Sequence, residues 1–198
     1  MIESPDRHRS LFSGRSPRYL GGAFAITVSL ISLWVAFSAN RTQERLLAAS
    51  VWPALEYGTG NRSDTGADEI TLVIGNKGIG PARLRGVRVL YDGKFAANSV
   101  ALLNICCELH DGPVNTVTSG TRGRVLKAGD EVRVMMFPKG GLNSDEIWQR
   151  FNRERFKVEI QACYCSVLDD CWKFDSARMD PERVASCPAL SVDQEWSG

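Results

Sequence analysis

The residues of this chain best equipped for chemistry are its six cysteines, all of which lie between Cys106 and Cys187. Three of them fall within nine residues, in the stretch A-C-Y-C-S-V-L-D-D-C-W-K from Ala162 to Lys173. A second group, C-C-E-L-H-D, sets Cys106 and Cys107 beside His110 and Asp111. Such clusters can ligate a soft metal ion, run thiol redox chemistry or, once oxidised, staple the chain. Spacing argues against the first use, because vicinal cysteines on an extended chain point to opposite faces and cannot easily hold one ion. The sequence also lacks a C-x-x-C redox motif, a C-x-x-C-H haem attachment site, a G-x-x-x-x-G-K-[ST] loop and a G-x-S-x-G elbow.

The remaining polar residues add no catalytic set. Beyond the apolar segment near the N-terminus, a Ser-His-Asp or Cys-His site would have only His110 as its base, since the other histidine is His8. The carboxylate pairs Asp169-Asp170 and Asp145-Glu146 fall at turn and helix-start positions, where acidic side chains serve local structure. Arg150, Arg153, Arg155 and Lys157 read as a solvated basic face. With 24 basic against 23 acidic residues, the chain has no excess positive charge of the kind that binds nucleic acid. The expectation is a protein that is not an enzyme and carries no metal or cofactor.

The state of the cysteines depends on the compartment, and that is read from the other end of the chain. Leu20–Ala39, LGGAFAITVSLISLWVAFSA, is free of charge over twenty residues. At about 1.5 Å per residue it spans a hydrocarbon core of roughly 30 Å. Arg7, Arg9, Arg15 and Arg18 precede it, whereas only Arg41 and Arg45 follow closely. The positive-inside rule therefore expects residues 1–19 in the cytoplasm and everything after the span outside. Ala36-Phe37-Ser38 loosely resembles a signal-peptidase site, but the apolar run exceeds the roughly 7–15 residues of a signal h-region, so an uncleaved anchor is the reading. Gly21, Ala25, Ser29, Ser32 and Ala36 share one face of that helix, an arrangement that lets two such helices approach closely and self-associate.

Residues 40–57 read as a helical stalk up to Val51, ended by Pro53. Tyr57–Ala67, rich in glycine, reads as a loop into a domain over 58–198. There the period becomes two. Ile70, Leu72 and Ile74 form one strand, and Leu84, Val87, Val89 and Tyr91 a second that ends at Asp92-Gly93. Further short strands are expected at Val114–Thr118, Val125–Lys127, Glu131–Phe137 and Phe156–Tyr164. One short helix interrupts them, with Asn143 as its cap, Glu146 completing a capping box, and Ile147, Trp148 and Phe151 as its packing face. The pattern predicts a mainly β fold, a β-sandwich with one short helix behind a transmembrane helix and stalk.

TLVIGNKGIGPARLRGVRVLYDGK at Thr71–Lys94 and VLKAGDEVRVMMF at Val125–Phe137 resemble the turn and strand motifs of bacterial extracellular Ig-like and fibronectin-like modules, including the CARDB group. In this reading Gly78 and Gly80 supply the unusual φ angles of a tight crossover, and Pro81 discourages further pairing. The cysteine-rich half departs from that family. In overall plan the chain resembles single-pass proteins of Gram-negative inner membranes. The resemblance implies an Ig-like sandwich facing the periplasm, anchored in the membrane and engaging a protein partner. The alternative is a periplasmic metal-binding or thiol-redox protein that uses the cysteine clusters.

In an oxidising compartment disulfides are the default. Phe156–Ser166 and Cys171–Asp175 read as hairpin arms centred on Leu168, which places Cys165 opposite Cys171. Cys163 shares the face of Cys165, with Tyr164 on the other, and its partner is Cys106, Cys107 or Cys187.

Overall fold

The computed structural model describes residues 16–109 and 113–197. The chain divides into two compact units, Met1–Leu47 and Ala48–Gly198.

The first unit is occupied by a helix, α1, which runs unbroken over Ser16–Ser50. Its part from Gly21 to Ser50 is long and apolar enough to cross a membrane. Phe24, Ile31, Leu33 and Trp34 leave most of their surface uncovered. Its hydroxyls bond back along the helix: Ser29 Oγ donates to Ala25 O and Ser32 Oγ to Val28 O, each at 2.8 Å. A polar side chain that closes its bond on its own helix is compatible with lipid. All five positions of the small-residue face, Gly21, Ala25, Ser29, Ser32 and Ala36, are exposed.

In the second unit two antiparallel sheets share one buried cluster. The first sheet holds β1 (Leu55–Arg62), β2 (Asp68–Asn76), β7 (Glu131–Pro138) and β5 (Val117–Thr118), in the order β1-β2-β7-β5. The second holds β3 (Ala82–Tyr91), β4 (Lys94–Ala96), β8 (Val158–Cys165), β9 (Cys171–Asp175) and β10 (Glu182–Val184), in the order β10-β9-β8-β3-β4. The short β6 (Val125–Leu126) pairs with the start of β3. Ile70, Leu72, Ile74 and Phe137 from one sheet and Leu84, Val87, Val89, Ile160 and Tyr164 from the other are all fully buried. The broken alternation from Leu84 to Val87 has a cause: a bulge between Leu84 and Gly86 shifts the parity of β3 so that both ends still face the core.

Four sequence expectations are corrected here. The segment read as a loop from Tyr57 is an edge strand as far as Arg62, paired with β2. Its glycines fit the crowding across the pair, since a Cβ on Gly58 would lie 3.1 Å from Val73 Cγ2. A second short helix, α2 (Ser99–Cys107), joins the expected one, α3 (Asp145–Glu154). Asn98 caps α2 by accepting from Ala101 N, and Glu108 ends it in the left-handed conformation. The cap of α3 is Ser144, whose Oγ accepts from Ile147 N at 3.1 Å. Asn143 instead ties two loops, accepting from Asn115 N and donating to Asn115 O and Pro138 O. Gly78 and Gly80 have ordinary φ values. What they supply is space: a Cβ on Gly78 would stand 2.4 Å from Ala54 N, and one on Gly80 1.9 Å from Val51 O. Between them and β6, the buried Asn76 side chain makes four bonds, donating to Gly80 O and Leu126 O and accepting from Ala54 N and Gly78 N. Every polar site on that amide is satisfied by backbone, which fixes the crossover.

Candidate functional site

The six cysteines separate into two groups. Cys106 and Cys107 close the last turn of α2, are buried, and are bonded to each other. The two cysteines of the C-C-E-L-H-D run thus belong to a helix end in the core and not to an extended segment. His110 and Asp111, like His8, lie outside the described residues. Arg150 on α3 locks the helix end by donating to Cys107 O at 3.3 Å and to both carboxylate oxygens of Glu108.

The other four converge on the outer face of the second sheet. Along β8 the inward residues are Ile160, Ala162 and Tyr164, so Gln161, Cys163 and Cys165 face outward. Cys165 lies opposite Cys171 in the β8–β9 register and is bonded to it, as the hairpin geometry predicts. Cys163 takes Cys187, 24 residues further on and the nearest in sequence of the three partners left open. The two disulfides are neighbours: Cys165 Sγ and Cys187 Sγ are 3.8 Å apart. The Sγ atoms of Cys165, Cys171 and Cys187 all lie within 4.8 Å of one another. Such a donor set suits a thiophilic ion only with its disulfides open, because the thiolate is the ligand.

Cys187 belongs to a C-terminal strap that follows β10 and returns across the sheet. Leu190 reaches over Gly86, where a Cβ would meet Leu190 Cδ1 at 2.8 Å. Trp196 is buried and its backbone N–H donates to Val87 O at 2.9 Å, and Ser197 N donates to Ala97 O. The first of these bonds lies on the stretch of β3 left between β6 and β4, and the second just past the end of β4. Glu195, also buried, receives the Arg122 guanidinium at 3.3 Å.

Between strap and sheet lies a cavity of about 340 Å³. Its floor is one outward-facing patch of the sheet: Gly86, Cys163 and Lys173 stand in one row, and Arg88, Gln161 and Asp175 in the next. Arg178, Asp180, Glu182, Pro188 and Leu190 complete it. Three cations therefore face three carboxylates. Asp175 accepts from Gln161 Nε2 at 3.2 Å and lies 3.8 Å from Arg178 Nε. Arg88 Nε is buried without a hydrogen-bond partner among the described residues, and its guanidinium stands 5.4 Å from the centre of the Phe95 ring. The site can bind a polar group of mixed charge, and it brings one disulfide into contact with that group.

Apart from Cys163, the residues that line this cavity are not singled out by the sequence. Their only signal is parity: 161 with 163, and 173 with 175, each two apart on an alternating strand. Two further expectations change. Asp169 takes the left-handed φ of its turn, as a turn residue does, but the carboxylates of Asp169 and Asp170 reach beyond it to pair with Arg83 and Arg183. In the basic run, Arg155 is buried, donating to Asn152 O and Thr59 Oγ1, and burial pulls its guanidinium below its ordinary range. Burial also pushes the Tyr164 phenol up to about 12, which keeps it neutral under the sheet.

Comparison with protein-family models and with curated proteins finds no match to this chain.

Proposed function

We propose that this chain is a single-pass inner-membrane protein whose Ig-like domain faces the periplasm and serves as an interaction or assembly module, without catalytic activity of its own. The observation that carries the reading is the joining of one apolar helix to a domain in which all six cysteines are paired. Disulfides persist outside the reducing cytosol. The arginines before the helix favour a cytoplasmic N-terminus. The strand order supports the Ig-like assignment: β1-β2-β7-β5 and β9-β8-β3-β4 follow the A-B-E-D and G-F-C-C′ pattern of such sandwiches. The CARDB-like turn motifs agree with it, in that Asn76 and the two glycines build the crossover between the sheets. Self-association through Gly21, Ala25, Ser29, Ser32 and Ala36 belongs to the same proposal.

The test has two arms. Protease added to spheroplasts should digest the domain and spare residues 1–19. A photo-crosslinker at Asp180, on the cavity rim, should yield one discrete protein adduct that is lost in Glu182→Lys. A protected domain, or adducts indifferent to that substitution, would refute the reading. One observation favours the thiol-redox alternative over the metal one: the 3.8 Å approach of the two outer disulfides.

A further inference from the structure

The geometry points to a two-disulfide exchange site, in which an incoming dithiol moves the strap's tether from Cys163 to Cys165. This deepens the thiol reading and is independent of the partner reading.

Access, contact and charge each contribute to it. Cys165 and Cys171 are 3% and 5% exposed, whereas Cys163 and Cys187 are only partly covered, and of these four Cys163 is the one that lines the cavity. A thiolate that enters the cavity therefore meets Cys163 first. Lys173 lies between Cys163 and Glu182 in the strand register and has no salt bridge among the described residues, so its ammonium is the cation that stands beside the attacked sulfur and can attract a thiolate there. Once Cys163 is attacked, the leaving group is Cys187, whose sulfur is already 3.8 Å from Cys165 Sγ.

The exchange balances without a further reagent. A dithiol gives up its two protons to solvent or base, and its first thiolate attacks Cys163 Sγ, forming a mixed disulfide and expelling the Cys187 thiolate. Cys187 attacks Cys165 Sγ, forming Cys165–Cys187 and expelling the Cys171 thiolate. The second thiolate of the dithiol attacks the sulfur of its own mixed disulfide and expels the Cys163 thiolate. The dithiol leaves as a disulfide, and Cys163 and Cys171 take up two protons. Two electrons have entered, one disulfide has been lost, and the strap remains tethered, two residues further along β8. On a strand that is a shift of about 7 Å, and it frees the cavity-lining sulfur. The reagent class is a vicinal or closely spaced dithiol, on a small molecule or a protein.

The test uses the full chain in detergent with one equivalent of dithiothreitol, quenched by iodoacetamide and mapped by mass spectrometry of the unreduced digest. The expected product carries carbamidomethyl groups on Cys163 and Cys171, with a Cys165–Cys187 crosslinked peptide. Labelling of Cys163 with Cys187 beside an intact Cys165–Cys171 bond would show plain reduction and overturn the proposal. So would first labelling at Cys106 and Cys107, or no consumption of dithiol. In Lys173→Glu the same product should form more slowly, on the order of tenfold from reversed charge at the attacked sulfur. An unchanged rate would overturn the approach through the cavity.

Discussion

The adjacent pair at the end of α2 and the four cysteines under the strap are chemically the same residues, yet they do opposite things to the chain. Cys106 and Cys107 are neighbours in sequence and sit inside the core cluster. Their bond joins what the backbone already joins, so it closes no loop and removes almost no freedom from the unfolded chain. Cys163–Cys187 closes a separation of 24 residues on the outside of the sheet, and Cys165–Cys171 one of 6. A disulfide's contribution through the unfolded state grows with the loop it closes. Separation in sequence, more than burial, therefore decides which of these bonds is a tether.

That difference can be broken in order of size. Cys163→Ser with Cys187→Ser should cost the most, roughly 3–4 kcal/mol by loop closure, read as a lowered urea midpoint of the full chain in detergent. The same double change at Cys165 and Cys171 should cost less, about 2 kcal/mol. Cys106→Ala with Cys107→Ala should cost about 1 kcal/mol, through lost packing of the sulfur atoms alone. The Arg150 bond to Cys107 O uses backbone and survives that substitution. If the adjacent pair proved as costly as the 24-residue tether, the loop argument would fail and packing would have to carry all three.

The same contrast explains what could be read from sequence. Cys165–Cys171 was legible because both cysteines lie on one hairpin, where alternation and turn position fix the register. Cys187 was not, because its position depends on a strap that returns over the sheet after β10, and no local periodicity encodes that return. The strands β2, β7 and β9 followed from alternation, but β1 was hidden by Gly58 and Gly60, which belong to it because of their neighbours on β2. Helix α2 was hidden for a different reason. SVALLNICC has no polar face to set a period of 3.6, its start is signalled only by the cap at Asn98, and its end falls at Glu108, a residue type that does not mark a left-handed helix end. The crossover glycines are needed for a property that local turn chemistry does not reveal: they leave room for Val51 and Ala54 rather than adopt positive φ. The cavity was illegible because, although five of its six charges lie together in residues 173–182, Arg88, Cys163 and the strap residues Pro188 and Leu190 join them only through the fold.

Electrostatics separate the two regions once more, with the smallest effect. On the α2–α3 side, hydrogen bonds from Lys157 and then Tyr91 hold the Glu154 carboxyl below its ordinary value, with Lys157 Nζ at 2.7 Å. A carboxyl depressed in the folded state adds stability above its unfolded pKa, and that contribution is lost as pH falls through the folded value. Acidification below about pH 4.5 should therefore erode this corner. Because Lys157 is exposed and Glu154 only partly covered, Glu154→Gln should cost under about 1 kcal/mol at neutral pH. It should also flatten the acid limb of the stability profile, measured by urea unfolding between pH 3 and 7. The serine variants at Cys163 and Cys187 should lower the whole profile and leave its acid limb in place. An acid limb that vanished with the tether instead would mean that the strap, and not the α3 corner, responds to protons.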